Sequence, residues 1–84
     1  KQEKEFLESN ILSNLPNKIF GIEIENISRI DGIKLILNEN HWILFRFSGT
    51  EPLLRIYCEA PKEDFLTKTL SWSKDLIKNT LGQL

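Results

Sequence analysis

Methionine is absent, cysteine and histidine occur once each, and no apolar run approaches a membrane span in length. The single cysteine, Cys58, excludes an intrachain disulfide and any cysteine-based metal cluster, so a reducing compartment fits best. A single histidine, His41, cannot complete a typical zinc set either, and its place in "NENHW" reads as an exposed turn residue. The longest apolar stretches, such as Trp42 to Phe45, fall far below the ~20 residues that a transmembrane helix needs. Charge of one sign is lacking too: eleven Lys plus Arg against twelve Asp plus Glu give a net charge of −1. That balance provides no general attraction to nucleic acid or to anionic lipid, so any anion binding must be local. The charged opening "KQEKEF" carries no secretory or transit signal, and the expectation is a cytoplasmic protein. Without methionine, residue 1 is not an untouched initiator, and the sequence reads as a segment of something longer.

What is present suits one soluble domain. The 84 residues are 40% hydrophobic and 27% charged, too few to divide into two cores and too apolar for a disordered tail. From Glu3 to Leu15, Phe6, Leu7, Ile11, Leu12 and Leu15 recur at helical spacing, and Pro16 stops the pattern. Glu3, Glu5 and Glu8 read as its solvated side. Between Lys18 and Ile30 the period changes to two, with Ile22 and Ile24 alternating against Glu23 and Glu25. Asp31-Gly32 then predicts a tight hairpin turn with both residues at positive φ, leading into Ile33, Leu35 and Leu37 on one face of a second strand. "WILFRF" makes a third strand and "LLRIYCEA" a fourth. Lys62 to Leu81 returns to the helical period through Phe65, Leu66, Leu70, Trp72, Leu76, Ile77 and Leu81, with Lys62, Lys68, Lys74 and Lys78 outward and Gly82 as a stop. The predicted fold is α+β: a two-layer sandwich of four antiparallel strands with two helices on one face, in the order α-β-β-β-β-α.

The chemistry concentrates between the last two strands, in "FRFSGTEPLLRIY". If Ile43, Phe45 and Phe47 meet the helices, Arg46 emerges on the open face together with Trp42 and Leu44. Ser48, Gly49 and Thr50 follow with two hydroxyls, a glycine that admits a ligand close to the backbone, and amides outside the ladder. A guanidinium beside such donors suits the oxygens of a phosphate, although the same residues also serve ordinary turns.

"RFSGTEPLLRIYCEA", Arg46 to Ala60, resembles the phosphate-binding segment in the C-terminal domain of the α-D-phosphohexomutases, the phosphoglucomutase/phosphomannomutase family. "IDGIKLILNENHWILFR" is similar to the hairpin and strand before it. The resemblance implies a substrate-phosphate-binding domain of a multi-domain enzyme that moves a phosphoryl group between the 1- and 6-positions of a hexose phosphate. It implies phosphate ligands at Arg46, Ser48, Gly49 and Thr50, with Glu51 and Pro52 shaping the loop. Arg55 belongs to the motif as a further ligand or as half of a structural ion pair. The family's phosphoserine, metal and sugar-recognition loops have no counterpart here. The resemblance therefore implies an excised domain that is inactive alone and holds no cofactor, with a magnesium ion and the other domains supplied by the full-length enzyme. "RFSGTEPLLRIY" looks nearer to phosphoglucomutase and phosphomannomutase than to the glucosamine branch.

Cys58 alternates with apolar neighbours and reads as a small core residue. Trp42 and Leu44 beside Arg46 read as a surface packing on another domain. Two other readings of the sheet are a nucleic-acid binder stacking bases on Trp42 and Tyr57, and a module for protein association. The charge balance argues against the first, so neither nucleic acid nor membrane is expected as a partner.

Overall fold

A computed structural model describes the backbone of residues 2–47 and 54–82, and the side chains of residues 5–47 and 54–80. The order is α1 (Gln2–Ser13), β1 (Lys18–Ile19), β2 (Ile22–Glu23), β3 (Asn26–Ser28), β4 (Ile33–Asn38), β5 (His41–Phe47), β6 (Leu54–Glu59) and α2 (Glu63–Gly82). The expected α+β architecture is present. Strands β3-β4-β5-β6 form an antiparallel meander in sequence order, and β1-β2 form a separate two-stranded hairpin.

Alternation decides which face is covered. Ile33 pairs with Phe45 and Leu35 with Ile43 across β4 and β5, and all four side chains are fully buried. Leu37 joins them at an irregularity in the β4–β5 ladder. Ile11 from α1, Leu76 from α2 and Ile19 from the small hairpin close the core, with Leu54, Ile56 and Cys58 packed at its edge. Each fully buried large apolar side chain contributes roughly 1.5–3 kcal/mol relative to exposure.

The first strand differs from its sequence reading. Phe20 and Gly21 take φ of 55° and 77°, folding Lys18–Ile19 back onto Ile22–Glu23, so the period-two run divides into β1, β2 and β3. Asp31-Gly32 is not a two-residue turn with both members at positive φ. Only Gly32 is, at 117°, closing a four-residue connection from Arg29 to Gly32. A Cβ at Gly32 would run into the Phe45 carbonyl oxygen, which is backbone and has little room to move, and would lie 3.2 Å from the Arg46 Cα. Glycine therefore lets this connection pack against the end of β5.

The helices carry two surprises. In α1, which ends at Ser13 rather than at Leu15, Glu8 rather than Phe6 lies on the stripe with Ile11 and Leu12, because the i, i+3, i+4 spacing includes Glu8 and leaves Phe6 turned away. Phe6 is accordingly 52% exposed, while Glu8 is buried and ion-paired with Arg29 at 3.6 Å, correcting its reading as solvated. In α2 the deepest positions are Thr69, Ser73, Leu76 and Thr80, one stripe at i, i+4, i+7 and i+11. The three hydroxyls are satisfied by donating to the carbonyls four residues back, at Phe65, Thr69 and Leu76. Small side chains there let the helix approach closely, and the larger Phe65, Leu66, Leu70, Trp72 and Ile77 flank it half-buried. The four lysines read as outward-facing are all exposed.

His41 is not an exposed turn residue. It opens β5 fully buried, its Nε2 2.9 Å from the Thr69 Oγ1. Since Thr69 spends its proton on the Phe65 carbonyl, His41 must donate from Nε2, which leaves Nδ1 bare and without a partner. Burial holds the His41 pKa below its ordinary value, and no neighbouring charge adds to the shift.

Two outcomes are expected. Gly32→Ala lowers stability by about 1–3 kcal/mol, more than Gly21→Ala, whose Cβ meets nothing within 4 Å; equal urea midpoints for the two variants contradict this. For His41, the unfolded chain binds the proton more readily than the folded one, so stability is complete above the unfolded pKa of about 6.5. It falls as pH drops from there toward the folded-state pKa, by at most ~1.4 kcal/mol per pH unit. Denaturant titrations between neutral and mildly acidic pH check this against His41→Gln, in which that slope disappears; a flat native profile contradicts it.

Candidate anion-binding site

The face of the sheet away from the helices is laid out in rows by the register. At one end Ile36, Trp42 and Glu59 lie side by side, in the middle Ser28, Lys34, Leu44 and Tyr57, and at the other end Arg46 and Arg55. Phe45 buries itself on the opposite side, and this alternation sends Arg46 outward, as its spacing in the sequence predicts. Arg55 is likewise exposed. Both arginines stand on strands that lead directly into residues 48–53, so Ser48, Gly49, Thr50 and Glu51 lie outside the described residues.

The first two rows are occupied by internal contacts. The Trp42 indole N–H donates to the Glu59 carboxylate at 2.7 Å, and the Lys34 ammonium sits 4.4 Å from the centre of the indole. Lys34 is thereby drawn toward Trp42, and one face of the ring is covered by a cation instead of being left bare.

The arginine row is different. Arg46 and Arg55 are directly opposed partners in the β5–β6 ladder. Like charges at such positions destabilise a sheet. Among the described residues the one ion pair is Arg29–Glu8, so no described carboxylate compensates this pair. Tyr57 shares this face with Arg55, and the Arg55 guanidinium holds the Tyr57 pKa below its ordinary value. Partial burial works against that shift and Arg46 adds to it. Two arginines opposed across the ladder, with Tyr57 on the same face, suit a tetrahedral oxyanion. Tyr57 was foreseen in the sequence only as a stacking platform; the signal that would have found it is the shared period-two face of Arg55 and Tyr57.

Cys58 faces the helices opposite Ile43, half-buried at the core edge, where burial raises its thiol pKa. Among the described residues no three His, Cys, Asp or Glu side chains come together to hold a metal ion. None of the described helices is long and apolar enough to cross a membrane.

Residues 5–70 match the pattern of the C-terminal domain of phosphoglucomutase/phosphomannomutase. The chain belongs to this family. Among its mutase relatives, a probable phosphoglucosamine mutase of Pyrococcus horikoshii is 40% identical over 82 residues, covering 90% of this chain but 18% of the relative. One of Pyrococcus furiosus is 42% identical over 59 residues, 70% of this chain and 13% of the relative. A phosphopentomutase of Thermococcus kodakarensis is 49% identical over 41 residues, 49% of this chain and 9% of the relative. The chain therefore spans less than a fifth of these mutases. No solved structure matches. The lean toward the glucomutase and mannomutase branch is not supported: these relatives carry the glucosamine and pentose names.

If the arginine row exists for a ligand rather than for the sheet, Arg55→Thr leaves the fold as stable as before, or steadier by a few tenths of a kcal/mol at low salt, with the gain fading as salt screens the pair. Urea denaturation at two ionic strengths checks this, and a loss above ~1 kcal/mol shows instead that Arg55 holds a structural ion pair.

Proposed function

We propose that this chain is the substrate-phosphate-binding C-terminal domain of a larger cytoplasmic phosphohexomutase, an isomerase that moves a phosphoryl group between two positions of one sugar phosphate. The observation that carries this reading is the Arg46–Arg55 pair, opposed across two strands on the uncovered face. A phosphate placed between them removes the repulsion and gains bidentate charge-assisted hydrogen bonds. Arg46 is then a phosphate ligand together with Ser48, Gly49 and Thr50 of the family motif, Arg55 is a second guanidinium ligand, and Glu51 supports the loop.

In this role the chain grips the phosphate that is not reacting. Such remote binding orients the sugar for transfer elsewhere, so its loss reduces kcat/KM as well as affinity. The transferring serine and the magnesium ion belong to other domains of the complete enzyme, and the isolated chain does not catalyse. The names of the relatives favour a sugar phosphate of the glucosamine kind. A base-stacking role for the sheet is disfavoured because the Trp42 ring is already capped by Lys34.

In the complete mutase, Arg46→Ala is expected to lower kcat/KM by roughly 10- to 100-fold, the worth of one charge-assisted contact, with the thermal midpoint nearly unchanged. Steady-state kinetics beside a melting curve check this. Full retention of kcat/KM contradicts the phosphate-gripping role.

A further inference from the structure

The core thins out at β6. Leu35, Ile43 and Phe45 on β4 and β5 are fully buried against the helices, whereas Leu54, Ile56 and Cys58 on the same side of β6 are only half-buried. β6 is also an edge strand: its six residues bond to β5 on one side, and among the described residues no strand pairs with the other. Such an edge is a template for a further strand, and proteins that stay single blunt it by shortness, proline, a bulge or inward charge. β3, at the opposite edge, is only three residues long. β6 has none of these devices. Its register against β5 is regular from Leu54 to Glu59, it contains no proline, and its two charges, Arg55 and Glu59, both stand exposed on the open face.

We propose that β6 pairs with β6 of a second copy of this chain, antiparallel and centred on Tyr57, joining the two four-stranded sheets into one. Charge sets the register. With Tyr57 opposite its own equivalent, Arg55 stands opposite Glu59 of the second copy and Glu59 opposite its Arg55, so the same ion pair forms twice about a two-fold axis. On the helix side Ile56 meets Cys58 of the second copy, and half-buried apolar groups cover each other. A slip of one residue sets the open face of one copy beside the helix side of the other. A slip of two puts Arg55 opposite Tyr57 or past the end of the strand, and both ion pairs are lost. In its own chain Arg55 has no carboxylate partner among the described residues, and Glu59 is held by the Trp42 indole through one of its two oxygens. A guanidinium has five donors, enough for a carboxylate and a phosphate together, so the pairing neither rests on the phosphate reading nor removes it. One strand pair buries less than a standard interface, and the dimer is expected at micromolar to millimolar concentration.

The chain closes around a core of its own and is tested as it stands. Sedimentation equilibrium from about 10 μM to 1 mM is expected to show the mass rising toward that of two chains. Over the same range amide exchange slows on β6, at the residues not already bonded to β5, and stays unchanged on β3. Arg55→Glu and Glu59→Arg each weaken the dimer by about 10-fold, since both ion pairs become like-charge pairs, and the chain carrying both substitutions regains native association. Oxidation reads the register. Tyr57→Cys combined with Cys58→Ser brings two Cβ atoms to ~4.5–5.5 Å and links the copies, whereas Cys58 of the native chain lies ~7–8 Å from its equivalent and does not. A chain that stays monomeric overturns the proposal and leaves this edge to a strand of another kind. Dimers whose slowed amides lie elsewhere than on β6, or that both single charge reversals leave intact, overturn it too, because the copies then meet on a different face. The exchange measurement uses the unmutated chain, so it decides the matter even if a variant folds poorly.

Discussion

Two guanidinium groups face each other across a pair of hydrogen-bonded strands, and their mutual repulsion is the constraint around which the uncovered side of this sheet is organised. The arrangement is not free to relax. Phe45 and Ile56 on either side of the ladder point into the core, and alternation obliges Arg46 and Arg55 to point out at the same height. Gly32 braces this end of β5, lying against the Phe45 carbonyl where any larger residue would push the strand away. The core thus fixes the arginines, and the arginines leave a demand for negative charge at this end of β5 and β6.

The covered side obeys a different rule. α2 presents hydroxyls rather than large apolar groups at its deepest positions, and each returns its proton to the helix's own backbone. That settles the polarity without a partner from the sheet and allows close approach. From outside the helix, His41 takes the Thr69 oxygen as its acceptor and the Asn14 amide donates to the Thr80 oxygen. The result is a buried imidazole with a fixed tautomer and an unused nitrogen.

Period-two alternation made most of the sheet legible in advance: Ile33, Leu35, Ile43 and Phe45 were placed inside and Arg46 outside from spacing alone, and the structure agrees. The parts that were not legible depend on information that a local pattern does not carry. Glu23 and Glu25 kept the first run alternating although Phe20 and Gly21 turn the backbone within it, since a positive φ leaves no mark on hydrophobic period. His41 looked like a turn residue beside Asn38 and Asn40, because the hydroxyl that receives it lies on α2, 28 residues further along. Thr69, Ser73 and Thr80 lie on the inner stripe of α2, where a hydrophobic period does not register polar side chains. Of the candidate site, the arginine on β5 was readable from alternation, whereas its pairing with Arg55 required the register between strands.

Family membership and geometry meet at one point: the matched segment includes both arginines and the residues between them. The relatives are named for different sugar phosphates, and on the proposed reading a paired guanidinium recognises the phosphate that those compounds have in common. Titrating the chain with glucosamine 6-phosphate and, separately, with glucosamine, while following the guanidinium resonances of Arg46 and Arg55, tests this directly. The account predicts saturable shifts of both guanidiniums with the phosphate ester and none with the parent sugar; equal responses to the two compounds, or no response to either, would contradict it.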